Sequence, residues 1–203
     1  MKIIRLYENI ISDRQAYAIA EMLREGGVIV WPTDTLYGIA CDALNPKAVD
    51  RVCRIKGINS AKNDLSVICA NISQASEYTR IDNETFRLIR NNTPGPFTFL
   101  LRASNKLPRT LKGRKTIGIR IPDFSDNRKI AEFLGNPVLN TSVSIDDFEC
   151  MEFISPELIA YRYENMIDVF LTGQDSSTKP STVIDCTNNT FVIIREGAGK
   201  IIE

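Results

Sequence analysis

GGVIVWPTDTLYGIA, residues 26–40, is the stretch whose reading decides the fold. Gly26-Gly27 breaks an amphipathic run. Val28, Ile29, Val30 and Trp31 then read as a short buried strand, and Pro32 ends its ladder because it has no N–H. A polar turn follows: Thr33, Asp34, Thr35 and Tyr37 set three hydroxyls and a carboxylate just beyond a central strand, and Gly38 allows close backbone approach. In open α/β sheets ligands bind at the carboxyl ends of the strands. The same residue types cap helices, so a strand-to-helix loop with Thr and Asp caps is the plain structural reading.

Upstream, residues 2–6 alternate apolar and charged side chains as an edge strand does. Ser12 and Asp13 open a helix over 14–25, with Ala16, Ile19, Ala20 and Leu23 on one face and Gly26 as its stop. Downstream, 46–55 forms a second helix, and the polar loop after it carries Lys62. A central strand follows at 65–70, then a helix over 83–91 that ends at NNTPGP. The strand pattern returns at 97–102 and again at 116–121, where TIGIRI puts Arg120 on the face opposite Ile119 and Ile121. A short helix at 128–134 precedes a strand at 137–140, which runs into the hydroxyl cluster Thr141, Ser142 and Ser144. Helix 156–162, strand 169–171 and a hairpin of 181–185 with 190–195 through Asn188-Asn189 complete the chain. No repeat, low-complexity tract or linker interrupts it, so 1–203 reads as a single α/β domain.

The hydrophobic share of 43%, charged share of 25% and formal net charge of zero belong to an ordinary globular protein. Neither a membrane span nor a signal peptide is legible. Cys41, Cys53, Cys69, Cys150 and Cys186 are odd in number and form no CxxC, which fits reduced thiols in a cytoplasm and no metal site. The absence of histidine excludes an imidazole base, a Ser-His or Cys-His pair and His-ligated zinc. Catalysis in such a chain must work by positioning and charge stabilisation, which favours phosphate or nucleotide chemistry. The neutral total conceals two charge faces. Residues 98–122 hold no acid but contain Arg102, Lys106, Arg109, Lys112, Arg114, Lys115 and Arg120, whereas 123–175 is mainly acidic.

Neither a P-loop motif nor GxGxxG is present. What recurs is a strand end followed by hydroxyl residues (Thr33 and Thr35; Thr141, Ser142 and Ser144; Ser181 and Thr182) with Lys56, Lys62, Arg120 and Arg195 at or near strand ends. Hydroxyls and guanidinium forks are what a triphosphate or a carboxylate needs, although each piece alone also serves as a turn, a cap or a solvated cation.

PTDTLYGIA, PGPFTFLL, TIGIRIP, NTSVS and PSTVID followed by IIREGAG, in this order, resemble the successive motifs of the YrdC/YciO family, with the wording closest to the YciO branch. The resemblance implies the YrdC-type fold, a twisted open mixed sheet with flanking helices and a large positively charged concave surface. It implies threonylcarbamoyl-AMP synthesis from L-threonine, bicarbonate and ATP, serving tRNA N6-threonylcarbamoyladenosine modification. Mg²⁺ would come with ATP and no organic cofactor is implied; tRNA-modification proteins would be partners. On that reading Lys56 and Arg120 are catalytic. Thr33, Thr35, Tyr37, Arg120 and Ser181 hold the threonine, while Lys56, Lys62, Thr141, Ser142, Ser144 and Arg195 hold the nucleotide. The family's lysine is commonly followed two places later by arginine, where this chain has Ile58, and SANxSG is replaced here by 140–145, NTSVSI. The alternative is a non-catalytic or weakly active paralogue that binds double-stranded RNA or tRNA through Arg102, Lys106, Arg109, Lys112, Arg114 and Lys115.

Overall fold

In the computed structural model, the described residues are 1–6, 10–58, 65–106, 111, 113–143, 154–173, 177, 179–188 and 190–202. Among them one mixed sheet of eleven strands runs in the order β1 (Lys2–Arg5), β9 (Val169–Thr172), β2 (Val28–Trp31), β3 (Gly38–Asp42), β8 (Val138–Ser142), β4 (Ser66–Ile68), β7 (Thr116–Arg120), β6 (Phe97–Ala103), β10 (Thr182–Asp185) and β11 (Val192–Arg195). The two-residue β5 (Thr79–Arg80) pairs with β6. β1, β9 and β2 are mutually parallel, as are β4 with β7 and β6 with β10; the remaining neighbours are antiparallel.

The capping chemistry read from the sequence sets the helix ends. Ser12 and Gln15 form a reciprocal capping box at the start of α1 (Asp13–Arg24), whose Ala16, Ile19, Ala20 and Leu23 are all buried. Burying Ile19 and Leu23 contributes about 1.5–3 kcal/mol each. α2 (Pro46–Lys56) starts with Asn45 as cap and Pro46 in its first turn, and Gly57 closes it in the left-handed region at φ 63°. α3 (Ile72–Tyr78) and β5 have no counterpart in the sequence reading; they are too short to give a periodic signal. α4 (Asn83–Asn92) is capped by Asp82 as expected, and α6 (Pro156–Tyr163) by Ser155. α5 (Ser125–Leu134) begins three residues earlier than expected and has no side-chain cap.

Two expectations are corrected. Residues 38–42 form β3, antiparallel to β2, so the PTDTLY loop joins two strands and caps no helix. Thr141 and Ser142 lie inside β8, paired with Ile39 and Gly38, rather than in a loop after it. The same pairing explains Gly38: a Cβ there would sit 2.1 Å from Asn140 Oδ1. That oxygen accepts the buried Trp31 indole N–H at 2.8 Å.

Two cores flank the sheet. α1 and α5 cover Ile29, Trp31, Ala40, Ile68, Val138 and Leu171 on one face. The other face, with Val30, Ile39, Val67, Phe99, Ile117, Ile119 and Ile184, packs on α2, Ile89 and Ile159. Among the described residues no helix is long and apolar enough to cross a membrane. The four described cysteines, Cys41, Cys53, Cys69 and Cys186, are buried and free. Burial pushes the Cys41 thiol well up and that of Cys186 up to about 12, so neither supplies a thiolate nucleophile.

Candidate active site

The strand alternation that fills one core leaves the other side of the same strands open. On β7, Ile117 and Ile119 go into the core, while Thr116, Gly118 and Arg120 face the opposite way. On β6, Phe97, Phe99 and Leu101 are core, while Thr98 and Leu100 line the open side. Register carries that side across the sheet, since Asn140 pairs with Ser66 and Ser66 with Gly118. The result is a hollow of about 840 Å³, within the range of small-molecule sites. Gly118 forms part of its wall, where a Cβ would come within 3.0 Å of Thr98 and 3.3 Å of Ser66.

Arg120, 3% exposed, is the most constrained charge in the hollow. Its Nη2 donates to Asp34 Oδ1 at 2.6 Å and to Thr35 Oγ1 at 2.9 Å, while its buried Nε has no partner among the described residues. Asp34 in turn accepts the Asp123 backbone N–H at 2.9 Å. Burial pushes the guanidinium pKa down, Asp34 pulls it up, and the like charge of Arg195 pushes it down again. Proton bookkeeping settles the two threonines. Thr33 donates to the Leu36 carbonyl at 2.7 Å, so it must accept from Thr35, whose hydroxyl lies 3.1 Å away. Both hydroxyl protons are thereby spent inside the loop, leaving Thr33 and Thr35 as the scaffold of Arg120.

Arg195 reaches back from β11 and forks onto the Ser181 carbonyl through Nε at 3.1 Å and Nη2 at 3.0 Å. The Ser181 hydroxyl lies 2.7 Å from that of Thr98. The strap that follows is held close: a Cβ at Gly197 would meet the Pro180 carbonyl at 2.3 Å, and Thr182 Oγ1 donates to Gly199 O and accepts from Gly197 N–H.

Six of the expected residues therefore share one wall: Lys56, Arg120, Thr141, Ser142, Ser181 and Arg195. Thr33, Thr35 and Tyr37 do not line it. The Tyr37 ring stacks on Phe170 in the core with centroids 5.8 Å apart, and its hydroxyl accepts the Gly173 N–H. The hydroxyl thus braces the chain at Gly173, and Tyr37 is not among the lining residues of the hollow. Lys62 and Ser144 lie outside the described residues, as do Arg109 and Lys112. Of the basic run expected to hold RNA, Arg114 turns into the hollow. Arg102 donates to the Thr187 carbonyl, and Lys106 and Lys115 are exposed. Ser66, Thr98, Thr116, Gly118 and Asn140 also line the hollow; the alternation read at 116–121 carried the signal for Thr116 and Gly118. No Asp or Glu stands among the described lining residues, and no described group of three or more His, Cys, Asp or Glu could hold a metal ion.

The Sua5/YciO/YrdC family profile, described as "Telomere recombination", matches residues 21–197. The chain belongs to the Sua5/YciO/YrdC family. It is 40% identical to YciO of Escherichia coli over 183 residues, 89% of this chain and 88% of that one. The crystal structure of E. coli YciO superposes with a TM-score of 0.83 at 36% identity, covering 98% of this chain and 96% of that one. A Methanocaldococcus jannaschii protein named "Putative threonylcarbamoyl-AMP synthase" is 30% identical over 203 residues, covering 97% of this chain and 93% of its own. The crystal structure of P. abyssi Sua5 complexed with L-threonine matches at TM-score 0.84 and 28% identity, over 97% of this chain and 58% of that longer one. The twisted open mixed sheet of this family member is thus the one shared by YciO and Sua5.

Proposed function

We propose that this family member is a threonylcarbamoyl-AMP synthase-like nucleotidyltransferase acting on L-threonine, bicarbonate and ATP. The observation that carries the reading is Arg120: a guanidinium held on one side by Asp34 and Thr35, with a buried N–H left over, in a hollow shared with Lys56, Arg114 and Arg195. A planar fork of this kind suits the threonine carboxylate, and the three further cations suit a polyphosphate. The complex of P. abyssi Sua5 with L-threonine supports the amino-acid side.

The chemistry needs no protein nucleophile, which suits a chain without histidine whose described thiols are buried, with the Cys41 and Cys186 thiols pushed up by burial. The threonine amine adds to the bicarbonate carbon and water leaves, giving a carbamate. A carbamate oxygen forms a bond to the α-phosphorus of ATP while the bond from that phosphorus to the β-bridging oxygen breaks, and the electron pair leaves with pyrophosphate. Arg120 orients the carboxylate, and Lys56 and Arg195 meet the phosphate charge. Mg²⁺ would enter on the nucleotide's phosphates; among the described residues the wall offers cations and hydroxyls and no carboxylate, which fits that arrangement better than a resident ion. The product would serve tRNA modification through partner proteins.

Arg120→Ala should lower threonine- and bicarbonate-dependent ATP–pyrophosphate exchange by about 10²- to 10³-fold, with the folded state checked by circular dichroism. Exchange within twofold of wild type would overturn the assignment. RNA affinity that falls steeply with salt, without threonine-stimulated pyrophosphate release, would favour the RNA-binding paralogue instead.

A further inference from the structure

The nucleotide reading above counts Arg114 among the cations of the hollow without assigning it to a particular phosphate. Arg114 belongs by sequence to the basic run, yet it lines the hollow together with Lys56 and Thr116. The described residues on either side of it are held in place. Leu111, 2% exposed, anchors the turn in the core, and the Arg114 N–H returns to the Leu111 carbonyl at 3.3 Å. Gly113 supplies the left-handed step at φ 96°. On the far side Lys115 O accepts the Ala103 N–H at 2.9 Å, and Thr116 opens β7 in register with Arg102. The side chain is thus presented by a turn tied at both ends.

Arg114 and Lys56, the last residue of α2, line the same hollow. Burial and Asp50 push the Cys53 thiol up, and the nearby Arg114 charge pulls it back down. Cys53 lies one turn before Lys56, at the helix end where backbone carbonyls point outward and their partial negative charge opposes an anion. A polyphosphate approaching this end needs more than the single lysine. The other cation of this last turn, Arg54, is not among the lining residues and donates from Nε to the Asp50 carbonyl, and Ile58 is apolar and packs against the core, so Lys56 is the one cation that the described residues of α2 and its cap give to the hollow.

We propose that Arg114 is a ligand of the nucleotide's β- and γ-phosphates, closing with Lys56 a two-sided cationic clamp at the α2 end of the hollow. The clamp lies apart from Arg120 and acts on the pyrophosphate half of ATP. The inference rests on the nucleotide reading of the site, but its test is separable, because pyrophosphate alone is a probe for the clamp. An arginine is suited here: its fork spans two phosphate oxygens at once, which a lysine cannot do.

The experiment is calorimetric titration of pyrophosphate, ATP and AMP into wild type and the variants Arg114→Ala, Arg114→Lys and Lys47→Ala. Lys47 is an exposed cation at the opposite end of α2 and serves as the control for net charge. Arg114→Ala should weaken pyrophosphate and ATP about 10- to 100-fold and AMP less than threefold. Arg114→Lys should recover part of the loss, and Lys47→Ala should bind as wild type. Retained circular dichroism and an unchanged AMP affinity separate a lost contact from a damaged fold. Pyrophosphate binding that survives Arg114→Ala, or an equal loss for AMP and ATP, would overturn the proposal while leaving the synthase reading in place. Selective loss of pyrophosphate in a protein that shows no threonine-dependent turnover would uphold the clamp and sink the synthase reading. A wild-type protein that binds neither pyrophosphate nor ATP would overturn both.

Discussion

Asp34 and Arg120 are 86 residues apart in the chain, and both side chains are more than nine-tenths buried. A pair taken this far from water is costly to break, because removing one partner leaves the other charge uncompensated. Asp34→Ala should therefore destabilise the protein by about 3–5 kcal/mol, whereas Asp34→Ala combined with Arg120→Met should recover most of that loss, as read from urea midpoints. A double variant as unstable as the single one would show that the carboxylate matters for the Asp123 N–H and not for the guanidinium. Arg120 stood out in its motif as a cation for a carboxylate, but nothing in the sequence paired it with Asp34. Thr33 and Thr35 offer hydroxyls that read equally well as ligands, and only the positions of Leu36 O and Arg120 show that their protons are used within the protein.

Between elements, the narrowest tolerance is where β2, β3 and β8 meet. The Asn140 amide fills the space that Gly38 leaves free, and it satisfies the Trp31 indole that would otherwise be a buried, unpaired donor. Gly38→Ala should cost about 1–3 kcal/mol by overpacking. In an Asn140→Ala background the same substitution should cost under about 1 kcal/mol, because the atom it collides with is gone. Equal cost in the two backgrounds, measured by chemical denaturation, would disprove the packing argument. Periodicity predicted β2, β6, β7, α1, α2 and α4 to within two residues at each end, because long apolar alternation and paired caps are local signals. It missed β3, whose five residues are buried on both faces and so show no alternation.

For the molecule as a whole, the hollow draws on α2, on the turn before β7, and on β4, β6, β7, β8, β10 and β11. A ligand seated there spans most of the sheet and should stabilise it as a unit. At about one hundred times its Kd, ATP with L-threonine should add about 2.7 kcal/mol and raise the melting temperature by roughly 5–10 °C. AMP alone at the same concentration should give a smaller shift. A melting temperature indifferent to ATP across that range would count against any nucleotide site in this hollow.

The amino-acid sequence alone determined where most strands lie, where most helices start and stop, and, through the absence of histidine, which chemistry was out of reach. These are local properties, carried by alternation, caps and residue inventory. Tertiary structure decided how the polar groups are placed: it spent the Thr33 and Thr35 hydroxyl protons inside their loop, tied the Tyr37 hydroxyl to the Gly173 N–H, laid Thr141 and Ser142 within a strand, and turned Arg114 inward. Whether a hydroxyl or a guanidinium is available depends on its neighbours in space, and here those neighbours come from chain positions as much as 136 residues away.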